Sequence, residues 1–363
     1  NLYWDRFDLS VVKQMLFTEE ELWRCTAKKG DLLICEGGDI GRAAIWNYDY
    51  DIRIQNHIHR LRGYKGINHR FYYFVFLLYK LSNRIGGKGV AIQGLSSGDL
   101  HKLEVPLPPE YEQIRLVKTI EKWFKFVDLL EQEQENLHTL VQSTKIKILD
   151  LAISGKLVPQ DPNDEPAIEL LKRINPDFQP CDNSHYENLP ENWCLAKVKD
   201  VFVINPRNKA EDNTIAGFIP MTLIDDGYSN TFSYEKRKWG SIKTGFTHFA
   251  DGDVAVAKIS PCLENRKSIV LRDLPNGIGA GTTELHVFRS SVVVPKYALY
   301  FFKSEYFISK CVGTFNGVVG QQRVGKNIIE EIQIPIPPIN EQTKIVSTIE
   351  TIFTQLNTIT AEL

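Results

Sequence analysis

The stretch Gly320-Gln-Gln-Arg-Val-Gly-Lys-Asn327 misses the phosphate-cradling loop G-x-x-x-x-G-K-[ST] by its last residue. Asn327 stands where a hydroxyl would hold Mg²⁺, and no strand signal precedes the stretch, so nucleotide binding there is disfavoured. Gly86-Gly-Lys-Gly89 is glycine-rich but lacks the G-x-G-x-x-G spacing. His57-Ile-His59 would place two imidazoles on one strand face, yet no Cys, Asp or Glu partner follows at metal-ligand spacing. They read as exposed or hydrogen-bonded histidines. Six scattered cysteines without a C-x-x-C pair suit free thiols in a reducing, cytoplasmic compartment.

Four loops carry a different chemistry. Glu36-Gly-Gly-Asp-Ile-Gly-Arg42, Ile85-Gly-Gly-Lys-Gly-Val-Ala-Ile-Gln93, Lys258-Ile-Ser-Pro-Cys-Leu-Glu-Asn-Arg-Lys267 and Gly313-Thr-Phe-Asn-Gly-Val-Val-Gly-Gln-Gln-Arg323 combine glycine with Arg, Lys, Asn and Gln. Glycine lets backbone approach a phosphate, Arg and Lys match guanine O6 and N7, and Asn and Gln match adenine N6 and N7. Candidate DNA-contacting residues are Arg42, Lys88, Gln93, Lys258, Asn265, Arg266, Lys267, Gln321, Gln322 and Arg323. Any one of them alone reads better as ordinary surface; their recurrence at corresponding places carries the hypothesis. Asn175-Pro-Asp-Phe178 and Asn205-Pro-Arg-Asn208 are near the N-P-P-[YF] motif of amino-methylating DNA enzymes. Both lack the second proline and any cofactor glycine motif, so the chain is not itself the methyltransferase.

The elements that must position these loops are duplicated. Val105-Pro-Leu-Pro-Pro-Glu-Tyr-Glu-Gln113 returns as Ile334-Pro-Ile-Pro-Pro-Ile-Asn-Glu-Gln342, and Gly30-Asp31 returns as Gly252-Asp253. Ile120, Glu121 and Phe124 return as Ile349, Glu350 and Phe353. The offset is 222 at Gly-Asp and 229 at the Pro-Pro phrase, so the copies differ by insertions between these anchors. The second copy has some 60 residues before its Gly-Asp and the first has 29, which predicts missing sequence at the front. The second helix stops at Leu363 soon after it starts, which predicts the same at the back.

Each Pro-Pro phrase opens a coiled-coil-like apolar stripe. Phe124, Val127, Leu130, Leu137, Val141 and Ile148 lie on the first, and Ile349, Phe353 and Leu356 on the second; they are candidates for helix pairing and subunit docking. At 1.5 Å per residue the first helix is ~60 Å long. Strands are predicted at Asp31–Cys35, Ala43–Trp46, Asp253–Ala257 and Lys267–Leu271, and amphipathic helices at Phe71–Asn83 and Pro295–Lys310. A Pro-, Asp- and Asn-rich linker runs from Gly155 to Pro166, with a short helix at Ala167–Ile174. The fold class is therefore α+β: two mixed modules joined by long helices. The segments are 1–108, a first module; 109–154, a spacer helix; 155–188, a linker; 189–337, a second module; and 338–363, a terminal helix.

Net charge is −2 overall, but +2 over 1–110, −5 over 111–189, +3 over 190–338 and −2 over 339–363. Mildly basic modules between acidic helices suit phosphate contact at the modules. No apolar run reaches ~18 residues, so no membrane span is expected.

With P-[LI]-P-P-x-x-E-Q twice, Leu151-Ala-Ile-Ser-Gly-Lys-Leu-Val-Pro159, Asp164-Glu-Pro-Ala-Ile-Glu-Leu-Leu171, Leu189-Pro-Glu-Asn-Trp193, Cys35-Glu-Gly-Gly-Asp-Ile-Gly-Arg42 and Gly320-Gln-Gln-Arg323, the chain resembles the specificity subunits of type I restriction–modification enzymes. The resemblance spans essentially the whole chain. It implies two target-recognition domains in a pseudo-two-fold arrangement, each reading half of a split double-stranded DNA site, with antiparallel helices as the ruler between them. It implies two methyltransferase subunits as partners, which carry S-adenosylmethionine, and a motor-nuclease restriction subunit. No cofactor is expected in this chain, and the chain is expected to be non-catalytic. The alternative is a coiled-coil protein-interaction scaffold that reads no DNA sequence.

Overall fold

The computed structural model describes the chain except Lys13, Asn56 and residues 86–94, 183–188, 315–321 and 362–363. It divides into two compact units, Asn1–Glu133 and Gln134–Leu363. The long helix Glu110–Ile153 begins in the first and ends in the second. Among the described residues no helix is long and apolar enough to cross a membrane.

In the first unit, strand Leu32–Cys35 is buried on both faces and pairs antiparallel with Ala43–Ile45 and Ile58–Leu61. Leu32 and Ile34 point to one core with Phe71, Phe76 and Val117, whereas Leu33 and Cys35 point to another with Ala27 and Trp46. This is the period-two alternation of a strand between two apolar layers. Helix His69–Leu81 begins two residues before the predicted Phe71, because the Asn68 side chain accepts from the Phe71 N–H and caps it.

The second unit holds two four-stranded sheets. One has the order Glu235–Lys238, Ile215–Ile219, Ile278–Gly281, Thr247–Ala250. The other has the order Ser268–Val270, Val254–Ala257, Leu285–Arg289, Val203–Ile204. Strand Gln333–Ile336, which leads into the second Pro-Pro phrase, pairs antiparallel with Cys194–Lys197. The single helix predicted over Pro295–Lys310 is two helices, Pro295–Phe302 and Glu305–Val312. The break comes from Ser304, whose hydroxyl accepts from the Phe307 N–H and starts a new helix.

Helix Ile339–Ala361 packs antiparallel to residues 134–153 of the long helix. Lys145 Nζ reaches Asn357 Oδ1 (2.6 Å), while Gln160 Nε2 bridges the Gly155 carbonyl (3.1 Å) and Glu341 Oε1 (2.7 Å) at the opposite end. Val141, Ile148, Ile349 and Phe353 are buried, the last three in one core.

Candidate nucleic-acid interface

The duplicated residues build one frame twice. Gly30 and Gly252 adopt φ of +93° and +87°, a turn that favours glycine, and deliver the following aspartate inward. Asp31 accepts from the Lys28 N–H (2.7 Å) and from Arg62 Nε and Nη2 (2.7 and 2.5 Å). Asp253 accepts from the Ala250 N–H (2.7 Å) and from Arg289 Nε and Nη2 (2.7 and 2.7 Å). Both carboxylates are buried, and a forked guanidinium matches two carboxylate oxygens at once.

The glutamine closing each Pro-Pro phrase is a staple. Gln113 Oε1 accepts from the Asn68 N–H (2.9 Å), and its Nε2 donates to the Pro108 (2.8 Å) and Gly66 (3.2 Å) carbonyls. Gln342 Oε1 accepts from the Val294 N–H (2.7 Å), and its Nε2 donates to the Pro337 (3.0 Å) and Val292 (3.4 Å) carbonyls. Each staple fastens the start of its module helix to the start of the following long helix. Two turns on, Glu121 pairs with Arg70 (2.8 Å) and Glu350 with Lys296. Phe124 stacks on Phe74 (5.9 Å), and Phe353 meets Tyr300 edge-on (5.9 Å). The Gln, Glu and Phe anchors thus seat each module on its helix, while the Gly-Asp anchors tie the module internally.

The frame presents one corresponding edge in each unit. In the first, the Glu36 N–H donates to the His57 carbonyl (2.8 Å) and the Leu95 N–H to the Glu36 carbonyl (2.7 Å). In the second, the Lys258 N–H donates to the Glu284 carbonyl (2.9 Å) and the Val324 N–H to the Lys258 carbonyl (3.0 Å). His59 and His286 sit behind these edges, their Nε2 atoms on the Leu95 (2.6 Å) and Val324 (3.2 Å) carbonyls. Burial pushes the His286 imidazole down to about 4.

With the backbone matched, the side chains differ. The first edge carries Glu36, which accepts from the His57 N–H (3.2 Å), beside an open cavity of about 1020 Å³ lined by Cys35, Gly37, Arg42, Arg53 and His57. The second carries Lys258, Gln322 and Arg323, with Arg323 forked on Glu284 (2.8 and 2.9 Å). Those hydrogen bonds hold the Glu284 carboxyl below its ordinary range. The Ser260 N–H donates to the Gln322 carbonyl (2.9 Å), and Ile259 pairs with Arg323 as an isolated β-bridge. The structure thus brings Lys258, Gln322 and Arg323 together.

The other sequence candidates fall elsewhere. Asn265 is exposed on the same loop as Lys258. Arg266 turns inward: its Nε donates to the Lys303 carbonyl (3.1 Å) and its Nη2 to Glu305 (2.8 Å). Lys267 donates to the Ile224 carbonyl (2.6 Å). Arg42 lies over the Tyr3 ring (4.9 Å) and 3.7 Å from Asp39. Lys88, Gln93 and Gln321 lie outside the described residues. Of the helix candidates, Phe124, Val127 and Leu130 are exposed, and Leu137 and Leu356 are partly buried.

Sequence reasoning named the loop of Glu36 and read His57 as an exposed or hydrogen-bonded histidine, but it gave neither a place at the edge, and it missed Glu284 there and Arg62 and Arg289 in the clamps. A signal was present, since His59-Arg-Leu-Arg62 and His286-Val-Phe-Arg289 share H-x-x-R. The exposed edge-strand basic residues Lys236 and Lys238 were also passed over. Among the described residues no group of three or more His, Cys, Asp or Glu side chains could hold a metal ion.

The sequence pattern of the type I restriction modification DNA specificity domain matches residues 19–139 and 190–363. The specificity subunit of the Escherichia coli type I restriction enzyme EcoEI is 41% identical over 220 residues, 55% of this chain and 37% of that subunit. That of EcoAI, also from Escherichia coli, is 42% identical over 218 residues, again 55% and 37%. The chain therefore spans well under half the length of these curated relatives. The crystal structure of the HsdS subunit from Thermoanaerobacter tengcongensis is similar in fold, with a TM-score of 0.55 at 15% identity over 93% of this chain and 76% of that one.

Proposed function

The chain belongs to the family of type I restriction–modification DNA specificity domains, and from that premise we propose that it is the non-catalytic subunit that reads a two-part DNA target and holds the modifying subunits in register on it. The observation that carries this is one frame built twice, with the same aspartate clamp and glutamine staple, beneath two edges of unlike chemistry. A two-part asymmetric target calls for such an arrangement: equivalent placement, different bases.

In this reading residues 1–108 and 189–337 are the reading modules, 109–154 and 338–363 the spacer helices, and 155–188 the linker. Lys258, Gln322, Arg323 and Asn265 face the second half-site; Arg and Lys match guanine, and Gln and Asn match adenine. Arg42, Lys88 and Gln93 belong to the first module's side. Arg266 and Lys267 support the reading loop from behind. The exposed apolar residues Phe124, Val127 and Leu130 serve docking of methyltransferase subunits, which bring S-adenosylmethionine; a restriction subunit completes the complex.

Mapping methylated adenines genome-wide, with and without this chain, tests the reading. The expected result is a gapped motif present only when the chain is expressed. Loss of no motif on deletion, or complex binding to DNA that is indifferent to salt and sequence, would overturn it.

A further inference from the structure

Tyr228 joins the reading loop of the second unit to its helix pair. The Arg266 guanidinium lies over the Tyr228 ring at 5.1 Å. The same ring meets Phe353 of the terminal helix edge-on (5.4 Å, 74°) and lies 5.8 Å from Nζ of Lys145 on the long helix. Lys145 in turn donates to Asn357 across the pair (2.6 Å). One aromatic side chain therefore contacts both long helices and the loop residue next to Asn265.

The segment carrying Tyr228 is also fastened to the reading loop by backbone atoms. The Gly227 N–H donates to the Asn265 carbonyl (2.8 Å), and Lys267 Nζ to the Ile224 carbonyl (2.6 Å). Lys303, fully buried, donates to the Gly227 (2.6 Å), Ser229 (2.7 Å) and Arg266 (3.1 Å) carbonyls. Burial, then the charge of Arg266, pushes this ammonium down to about 7. Arg266 itself holds φ +59°, a left-handed conformation unusual for a non-glycine residue, and its guanidinium contacts keep it there. Phe353 is 6% exposed here, while its repeat partner Phe124 is 49% exposed. The cover over the frame phenylalanine is an addition of the second unit.

We propose that Tyr228 is a positioning residue through which the pairing of the two long helices sets the conformation of the second reading loop, and hence its discrimination among half-sites. The proposal rests on the DNA-reading function above. Its physical content is a packed, two-sided contact that either side can bias.

The test uses the full chain assembled with its modification subunits. Binding is measured at fixed salt to the mapped target and to duplexes altered by one base pair in the first or the second half-site. Tyr228→Ala, Phe353→Leu and Lys145→Met are each expected to lower discrimination at the second half-site roughly tenfold, about the worth of one base pair, and to leave the first unchanged. Tyr228→Phe keeps the ring and is expected to preserve discrimination. Should Tyr228→Ala fail to assemble, the two helix variants, which sit away from the loop, decide the matter. Assembled Phe353→Leu and Lys145→Met complexes that discriminate like wild type, or that relax both half-sites equally, would overturn the coupling alone. A wild-type complex without preference for a gapped target would overturn the coupling together with the function it rests on.

Discussion

The two units share their skeleton and part company where it meets solvent. Gly30-Asp31 and Gly252-Asp253 clamp an arginine in the same way, and Gln113 and Gln342 make the same three kinds of hydrogen bond. Yet the glutamates before those glutamines differ. Glu112 pairs locally with Arg115 (2.5 Å), whereas Glu341 is buried and accepts from Trp193 Nε1 (2.9 Å) and Gln160 Nε2 (2.7 Å). At the edges Glu36 and His57 of the first unit occupy the places that Lys258 and Glu284 hold in the second. The frame must satisfy buried backbone groups, which few residue types can do, whereas an exposed edge side chain is limited only by what it touches.

That contrast can be broken, most forcefully at the staples. Gln342→Leu leaves the Val294 N–H and two carbonyls without partners, and should cost about 4 kcal/mol at ~1–3 kcal/mol for each well-buried orphan. Gln113→Leu should cost nearly as much in the first unit, read by denaturant unfolding of each variant. Unequal losses would mean that the matched bonds are not matched in energy.

Acid should act next. His286 stays neutral when folded down to about 4, while the unfolded chain takes up its proton near the ordinary 6.5. The unfolded state then binds more protons between those values. Stability from this group is complete above pH 6.5 and is lost as pH falls toward 4, by up to ~3 kcal/mol in total. A pH series of melting curves, with His286→Gln flattening the loss, checks it.

The divergent glutamates should separate the units further. Glu341→Ala orphans a buried indole N–H and is expected to cost ~2 kcal/mol. Glu112→Ala breaks only a local surface pair with Arg115, and its melting curve is expected to match the wild type. The smallest stability effect belongs to Arg323→Ala, whose melting temperature should stay at the wild-type value because a partly exposed ion pair contributes little. Its effect should appear instead as relaxed reading of the second half-site, seen in the methylation motif. A variant that loses stability but keeps its motif would place Arg323 in the frame rather than at the edge.

Much of the frame was legible because it repeats. The Pro-Pro phrase, Gly-Asp, Ile-Glu and Phe were all visible as anchors, and their helices and strands fell near the expected positions. The H-x-x-R correspondence was not, since its offset of 227 differs from those on either side and the shared residues are few. The helix over Pro295–Lys310 was read as continuous because apolar periodicity runs through Ser304, while the break depends on a local hydroxyl-to-backbone bond.

The site was less legible. Asn265, Arg266 and Lys267 are three successive polar residues of one loop, alike as candidates in sequence. The first is exposed, the second is anchored against the Tyr228 ring, and the third reaches the Ile224 carbonyl. Sequence alone determined that there are two modules, two apolar helices and a set of basic and amide-bearing loops, because duplication and periodicity are properties of order along the chain. Tertiary structure alone decided which of those loop side chains face outward and which serve as internal ties. Long cationic side chains reach acceptors dozens of residues away, and which carbonyl waits at the end of that reach is settled only when the sheets and helices pack.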